Sequence, residues 1–209
     1  VMQTKGVLVV VSGFSGAGKG TVMKALLNKY DNYALSVSAT TRNPRPGEEN
    51  GREYFFLTES QFEDMIKNDE LIEHARYVDH YYGTPKKYVE EKMAAGKDVI
   101  LEIEIQGALN IKKKFPDALL VFIVPPTAED LKKRLTGRGT ESAEVIEKRL
   151  RRAAEESDGM DSYDYIVVND DIDTCVEDLH SLIRSSHFKE SANTDLVARM
   201  KQELHDMTK

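Results

Sequence analysis

One cysteine, Cys175, occurs in 209 residues. A lone cysteine excludes an intramolecular disulfide and points to a reducing compartment. No apolar run approaches the roughly 18 residues of a membrane span. The apolar start VLVVV (7–11) is too short for a signal-peptide core and runs straight into a glycine-rich stretch. A cytoplasmic protein with no membrane partner is therefore expected. Positive charge is not in excess: 29 Lys and Arg against 36 Asp and Glu leave a net charge of -7. That argues against a duplex-binding surface and leaves room only for a local basic cleft, so no nucleic-acid partner is expected. No internal repeat or low-complexity segment is present. The five histidines, His74, His80, His180, His187 and His205, form no metal-ligand grouping. No nucleophile stands beside a base in a way that suggests covalent catalysis.

What is present is alternation. Four short apolar, β-branched runs, GVLVVVSG (6–13), DVILEIEI (98–105), ALLVFIVP (118–125) and DYIVVND (164–170), are separated by helical patterns. Helices are expected at 19–30, 86–95, 106–114, 127–136, 142–157 and 171–188. Such alternation indicates βαβ units: an α/β fold with a mostly parallel sheet flanked by helices. Residues 38–85 break the rhythm. They are polar, turn-rich and aromatic, and read as an inserted mixed or antiparallel subdomain. The segment TGRGTES (136–142) reads as a glycine-flexible loop between two arginine-bearing helices. In the tail, Leu196, Val197, Met200, Leu204 and Met207 fall near one helical face. That face is expected to dock on the core rather than on a second copy.

The stretch GFSGAGKGT (13–21) follows an apolar strand and opens a helix. Gly13, Gly18 and Lys19 fit the spacing of a phosphate-cradling loop, whose backbone N–H groups converge on phosphate oxygens. The hydroxyl expected after the lysine is replaced by Gly20 and arrives one place late, at Thr21. This ending resembles the one in adenylate kinases. Thr21 is then placed to serve the α-phosphate, and Mg2+ to be held by phosphates, waters and carboxylates. Gly13, Phe14, Ser15, Gly16, Ala17, Gly18, Lys19, Gly20 and Thr21 are the expected phosphate-binding loop, a signal silent on the substrate.

In SVSATTRNPRPGEENGREYFF (36–56), Arg42 and Arg45 lie three apart, stiffened by Pro44 and Pro46, with Tyr54 nine residues on. A single arginine is ordinarily a solvated charge. Two guanidinium forks beside Tyr54 and the Tyr82 and Thr84 of YYGTP (81–85) suit a phosphate monoester.

These motifs, with LIEHARYVDHYYGTP, ILEIEIQG, PPTAEDLKKRLTGRGTES and VIEKRLRRA, resemble the guanylate kinase family over about residues 7–188. The resemblance implies a P-loop nucleoside monophosphate kinase using ATP and Mg2+ on GMP or dGMP. It implies a core (1–37 and 86–136), a GMP-binding subdomain (38–85), a lid (137–152), and a return to the core with a C-terminal helix (153–209). Arg42, Arg45, Tyr54 and Tyr82 would hold the GMP phosphate, and Ser38, Glu73 and Thr84 would read guanine. A carboxylate accepts from guanine N1–H and N2–H2 together, whereas adenine would present it with an acceptor. Ala39 stands where some relatives have serine. Where the family often has aspartate, this chain has Glu102, expected to organise metal-bound water, and Glu104, expected to contact GMP. On a strand the two would share one side. Lys19, Arg42, Arg134, Arg138 and Arg149 would neutralise charge during transfer, the last three arriving as the lid closes. Asn169 is a candidate adenine-side contact, the alternative being a cap on the following helix. Monomer and homodimer both remain open. A kinase for another nucleotide is disfavoured by Glu73 beside the Arg42 and Arg45 motif. A non-catalytic interaction module is disfavoured by the intact loop lysine and lid arginines.

Overall fold

The computed structural model describes residues 5–77, 79–137 and 142–208. Five strands, β1 (Leu8–Gly13), β2 (Tyr33–Leu35), β7 (Asp98–Glu102), β8 (Leu119–Val124) and β9 (Tyr165–Val168), form a sheet in the order β2-β7-β1-β8-β9. Every pairing in it is parallel. The near-continuous apolar runs follow from burial on both faces. Val9, Val11, Val121 and Ile123 face one way, onto α1 (Lys19–Lys29) and α7 (Ile172–Ser186). Leu8, Val10, Val99 and Leu120 face the other, onto α3 (Lys86–Ala94) and α4 (Ile105–Lys114). Cys175 is fully buried in the first of these layers, where it packs as a small apolar residue. Burial pushes its thiol up to about 11.

A second sheet is built from β3 (Ser38–Thr40), β4 (Tyr54–Phe56), β5 (Leu71–Tyr77) and β6 (His80–Pro85), in the order β4-β3-β6-β5. It is mixed: β3 and β4 run parallel, and the other pairings are antiparallel. Its small core is closed by α2 (Glu59–Lys67), whose Phe62 is fully buried and stacks on Tyr81 at 5.1 Å. The start of α2 is a full capping box. The Thr58 hydroxyl accepts from the Gln61 N–H, and the Gln61 side chain accepts from the Thr58 N–H. Such a cap contributes about 1 kcal/mol.

Two helices close the far side of the phosphate loop. α5 (Ala128–Thr136) and α6 (Ala143–Ser157) pack through Leu131, Leu135, Ile146, Leu150 and Ala153, with Phe14 of the loop inserted among them. The N-terminus of α5 carries half a capping box. Thr127 accepts from the Asp130 N–H, but the shorter Asp130 side chain accepts the Thr127 hydroxyl instead of reaching the backbone.

The tail forms the expected helix, α8 (Thr194–Met207), but buries none of its residues. Met200, Leu204 and Met207 are 46%, 56% and 82% exposed. The expected docking on the core is therefore absent. In the turn before the helix, Asn193 Nδ2 donates to the carbonyls of His187 and Lys189, both at 2.8 Å. Among the described residues, no helix is long and apolar enough to cross a membrane.

Candidate active site

The loop after β1 lies at the carboxyl end of the central strand, where open α/β sheets bind ligands. Gly18 has φ +87, a left-handed conformation natural to glycine, and hands the chain to α1. It also has no room for a side chain, since a Cβ there would lie 2.5 Å from Asn169 Nδ2. Gly20 is different. It is helical, and a Cβ on it would meet nothing within 4 Å. The missing hydroxyl is thus not forced by packing. Thr21 sits exposed on the first turn of α1, as expected.

Lys19 Nζ donates to the Gly13 carbonyl across the loop. Burial lowers its pKa, and Glu102, Glu156 and Glu104 oppose the shift, Glu102 most strongly. The lysine therefore lies among three carboxylates. Burial raises the carboxyl of Glu102, against the pull of Lys19. Burial also raises that of Glu104, helped by Glu156 and opposed by Lys19. β7 ends at Glu102, so the shared-strand reading of the two carboxylates does not hold. Glu104 is instead the extended N-cap of α4. Both nevertheless line one cavity.

That cavity, of about 210 Å3, lies between the two sheets. Ser38, Tyr54, Tyr82 and Glu73 line it from the second sheet, Glu102 from the end of β7, and Glu104 and Gly107 from the start of α4. Glu73 is only 5% exposed. The Thr84 hydroxyl, itself fully buried, donates to Glu73 Oε1 at 2.9 Å. Burial raises the Glu73 carboxyl above the ordinary range, and the Thr84 bond and Lys114 work against the shift. The hydroxyl expected to meet guanine directly is thus engaged with the carboxylate, leaving Ser38 as the cavity-lining hydroxyl.

Arg42 stands over Tyr54 and Phe56, its guanidinium 5.3 and 5.7 Å from the ring centres. Glu48 holds it with two contacts of 3.0 Å and raises its pKa. Arg45 is exposed, and its backbone N–H donates to the same Glu48 at 2.7 Å. The two arginines share one anchoring carboxylate. The rings of Tyr54 and Tyr82 meet edge-on, 6.0 Å apart.

On the other flank, Arg134 of α5 donates to the carbonyls of Asn169 at 2.7 Å and Ala17 at 3.5 Å. Arg149 of α6 reaches the Ser15 hydroxyl at 3.5 Å. Arg138 and Gly139 lie outside the described residues. Asn169 is buried and donates from Nδ2 to the Ala17 carbonyl at 2.8 Å, while its buried Oδ1 has no hydrogen-bond partner among the described residues. It is not the helix cap, a role taken by Asp171, which accepts from the Thr174 N–H at 2.8 Å.

Three contributors escaped the sequence reading. Glu48 follows Arg45 by three residues, and an acid closing a turn that carries two arginines was a signal available in the sequence. Glu156 reaches Lys19 electrostatically from α6 and left no sequence signal. Arg152, on the same helix, pairs with Glu104 at 2.9 Å and with Glu156 at 2.8 Å.

Comparison with known proteins agrees with this arrangement. The family model described as guanylate kinase matches residues 5–186. The chain is 47% identical over 202 residues to a guanylate kinase of Caldanaerobacter subterraneus subsp. tengcongensis, covering 97% of this chain and 98% of the relative. It is 50% identical over 188 residues to that of Lactococcus lactis subsp. lactis, covering 90% and 92%. A crystal structure of guanylate kinase from Anaplasma phagocytophilum superposes with a TM-score of 0.73 at 32% identity, covering 90% of each chain. A parallel core with a phosphate loop, a second sheet facing it across a carboxylate-lined cavity, and similarity along nine-tenths of the chain lead to one conclusion: the chain belongs to the guanylate kinase family.

Proposed function

We propose that the chain transfers the γ-phosphoryl group of ATP to GMP, and to dGMP, giving ADP and the guanine nucleoside diphosphate. The observation that carries this reading is Glu73. A buried carboxylate at the floor of a cavity, with one oxygen engaged by Thr84, is suited to a base that offers adjacent N–H donors. Guanine offers N1–H and N2–H2, and Ser38 supplies a hydroxyl for O6. Arg42, Arg45, Tyr54 and Tyr82 take the GMP phosphate, and residues 38–85 act as the GMP-binding subdomain. Glu104 contacts GMP from the N-terminus of α4.

ATP lies along residues 13–21, its phosphates on the loop N–H groups and the positive end of α1. The unpartnered Asn169 Oδ1 is an acceptor suited to the adenine amino group. The acceptor in the reaction is already a phosphate oxygen, so positioning and charge neutralisation suffice and no base is needed. Lys19, Arg134, Arg138 and Arg149 supply the neutralising charge, and residues 137–152 act as the lid that keeps water from the transferred group.

Magnesium fits as a partner of the nucleotide. Among the described residues no three His, Cys, Asp or Glu side chains gather as a metal site. Glu102, the carboxylate that Lys19 senses most strongly, would hold it through water. When bound, the ion supplies further neutralisation of phosphate charge.

The test is an ADP-release assay with ATP and Mg2+, offering GMP, dGMP, AMP, UMP and CMP in parallel. Turnover confined to the guanine nucleotides is expected. Equal turnover with AMP would refute the role given to Glu73. No turnover with any acceptor, from folded protein, would favour an interaction module over an enzyme.

A further inference from the structure

Gly107 lies in the first turn of α4 and is buried. Glycine is a poorer helix former than alanine, so a glycine inside a helix needs another reason to be there. Its surroundings supply one. A Cβ at Gly107 would stand 3.0 Å from Glu73 Oε2, 3.2 Å from Ile103 Cδ1 and 3.6 Å from Glu73 Cδ. A carbon 3.0 Å from a buried carboxylate oxygen is inside van der Waals contact, so one of the two must move.

Glu73 has little room to do so. Its Oε1 is tied to the buried Thr84 hydroxyl at 2.9 Å. Behind it, Gly83 of the neighbouring strand packs so closely that a Cβ there would lie 2.9 Å from the Glu73 carbonyl oxygen and 2.9 Å from Phe62 Cζ. Phe62 is fully buried. The carboxylate is therefore set between a strand that cannot recede and a helix turn that has no side chain at the point of contact. Glu73 also lines the cavity where the base would lie.

We propose that Gly107 is a specificity-determining positioning residue. Its missing side chain sets the depth at which the Glu73 carboxylate sits against α4, and so the register in which its oxygens meet the N1 and N2 donors of guanine. A methyl group there pushes Oε2 toward the cavity and breaks that register. Gly107 has no side chain to offer a substrate and acts through Glu73. The inference rests on the reading of Glu73 as the guanine reader, and the test separates the two.

The test is a double-mutant cycle, read by steady-state kinetics with GMP and IMP and by thermal melting. IMP lacks the 2-amino group and so presents Glu73 with one fewer donor. Gly107→Ala is expected to fold and to melt near the parent temperature, the helix preference of alanine offsetting the crowding of Glu73 and Ile103. Its KM for ATP should stay within about twofold, while its KM for GMP rises about tenfold and its preference for GMP over IMP falls by a similar factor. Glu73→Ala should abolish that preference, and adding Gly107→Ala to it should cause no further loss, because the contact is already gone.

Three results would overturn the inference. Unchanged GMP preference in Gly107→Ala, with Glu73→Ala impaired, removes the role of Gly107 alone. Unchanged preference in Glu73→Ala removes the guanine reader and this inference with it. A Gly107→Ala effect of equal size with and without Glu73, or a Gly107→Ala protein that does not fold, assigns the glycine to general packing.

Discussion

The Thr84 hydroxyl donates to Glu73 at 2.9 Å, with both side chains buried. The pair keeps a carboxylate in a place where its charge is costly. Glu73→Gln keeps the Thr84 bond, since an amide oxygen accepts equally well, and removes the charge. Loss of an acceptor facing a guanine donor costs about 1–3 kcal/mol, or roughly 5–150-fold in kcat/KM for GMP. Equal loss with ATP varied at saturating GMP would show a different role.

The same substitution has a pH signature in stability. Burial raises the folded-state pKa of Glu73 above its unfolded value, so folding favours the protonated form. Below the ordinary carboxylate range the residue is protonated in both states, and Gln brings no advantage. As pH rises through the raised value, the folded protein with Glu73 loses stability relative to Gln, and the gap stays open above it. Melting of both proteins at about pH 4 and pH 8 checks the sign. Glu73→Gln should be the more stable at pH 8 only.

Lys19→Ala should leave the fold intact and cut kcat by about 10²–10³-fold, the range for removing one preorganised charge stabiliser. Among the described residues the side chain bonds only a loop carbonyl, and it carries a charge that burial disfavours, so melting should not fall. Turnover near the parent rate would exclude the charge-neutralising role.

Two glycines of the loop should respond in opposite ways. Gly18→Ala forces a left-handed alanine, at about 1–2 kcal/mol, and drives a methyl into Asn169. Its melting temperature should fall and its KM for ATP should rise. Gly20→Ser enters open space in a helix, where serine is the better former by a few tenths of a kcal/mol. Its stability should hold or improve. Kinetics and melting of the two variants side by side decide the point.

Deleting residues 190–209 should shift the melting temperature by no more than about 2 °C, because α8 buries none of its residues. A large fall would mean that the helix is covered in solution.

The sequence disclosed most of the core because local and tertiary demands coincide there. β1 is apolar on both faces and is followed by glycines and a lysine at fixed spacing, so strand, loop and helix were all readable. The second sheet was read only as a mixed or antiparallel insertion. α2 has a strong cap but a polar, nine-residue body, and its one fully buried residue, Phe62, carries no period by itself. Glu104 was placed on a strand because its flanks are apolar, and only three dimensions reveal that the chain turns into α4 after Glu102. The α8 stripe had the right period for a docked helix, but periodicity cannot say whether a surface comes to meet it. Within the site, Arg42, Glu73 and Lys19 were found by motif. Glu156 was not, because it reaches Lys19 from more than a hundred residues away in sequence.

The phosphate loop lies near the start of the chain, but its supports come late. Asn169 bonds the Ala17 carbonyl across 152 residues of sequence, and Arg134 reaches the same carbonyl across 117. During synthesis the glycine loop emerges long before either brace exists. Contacts of such separation form late, because the intervening chain must first be ordered. A ribosome-bound fragment ending before residue 169 would carry every residue of the glycine motif and still lack the clamp that sets its shape. Competence to grip a nucleotide therefore arrives with the closing third of the chain.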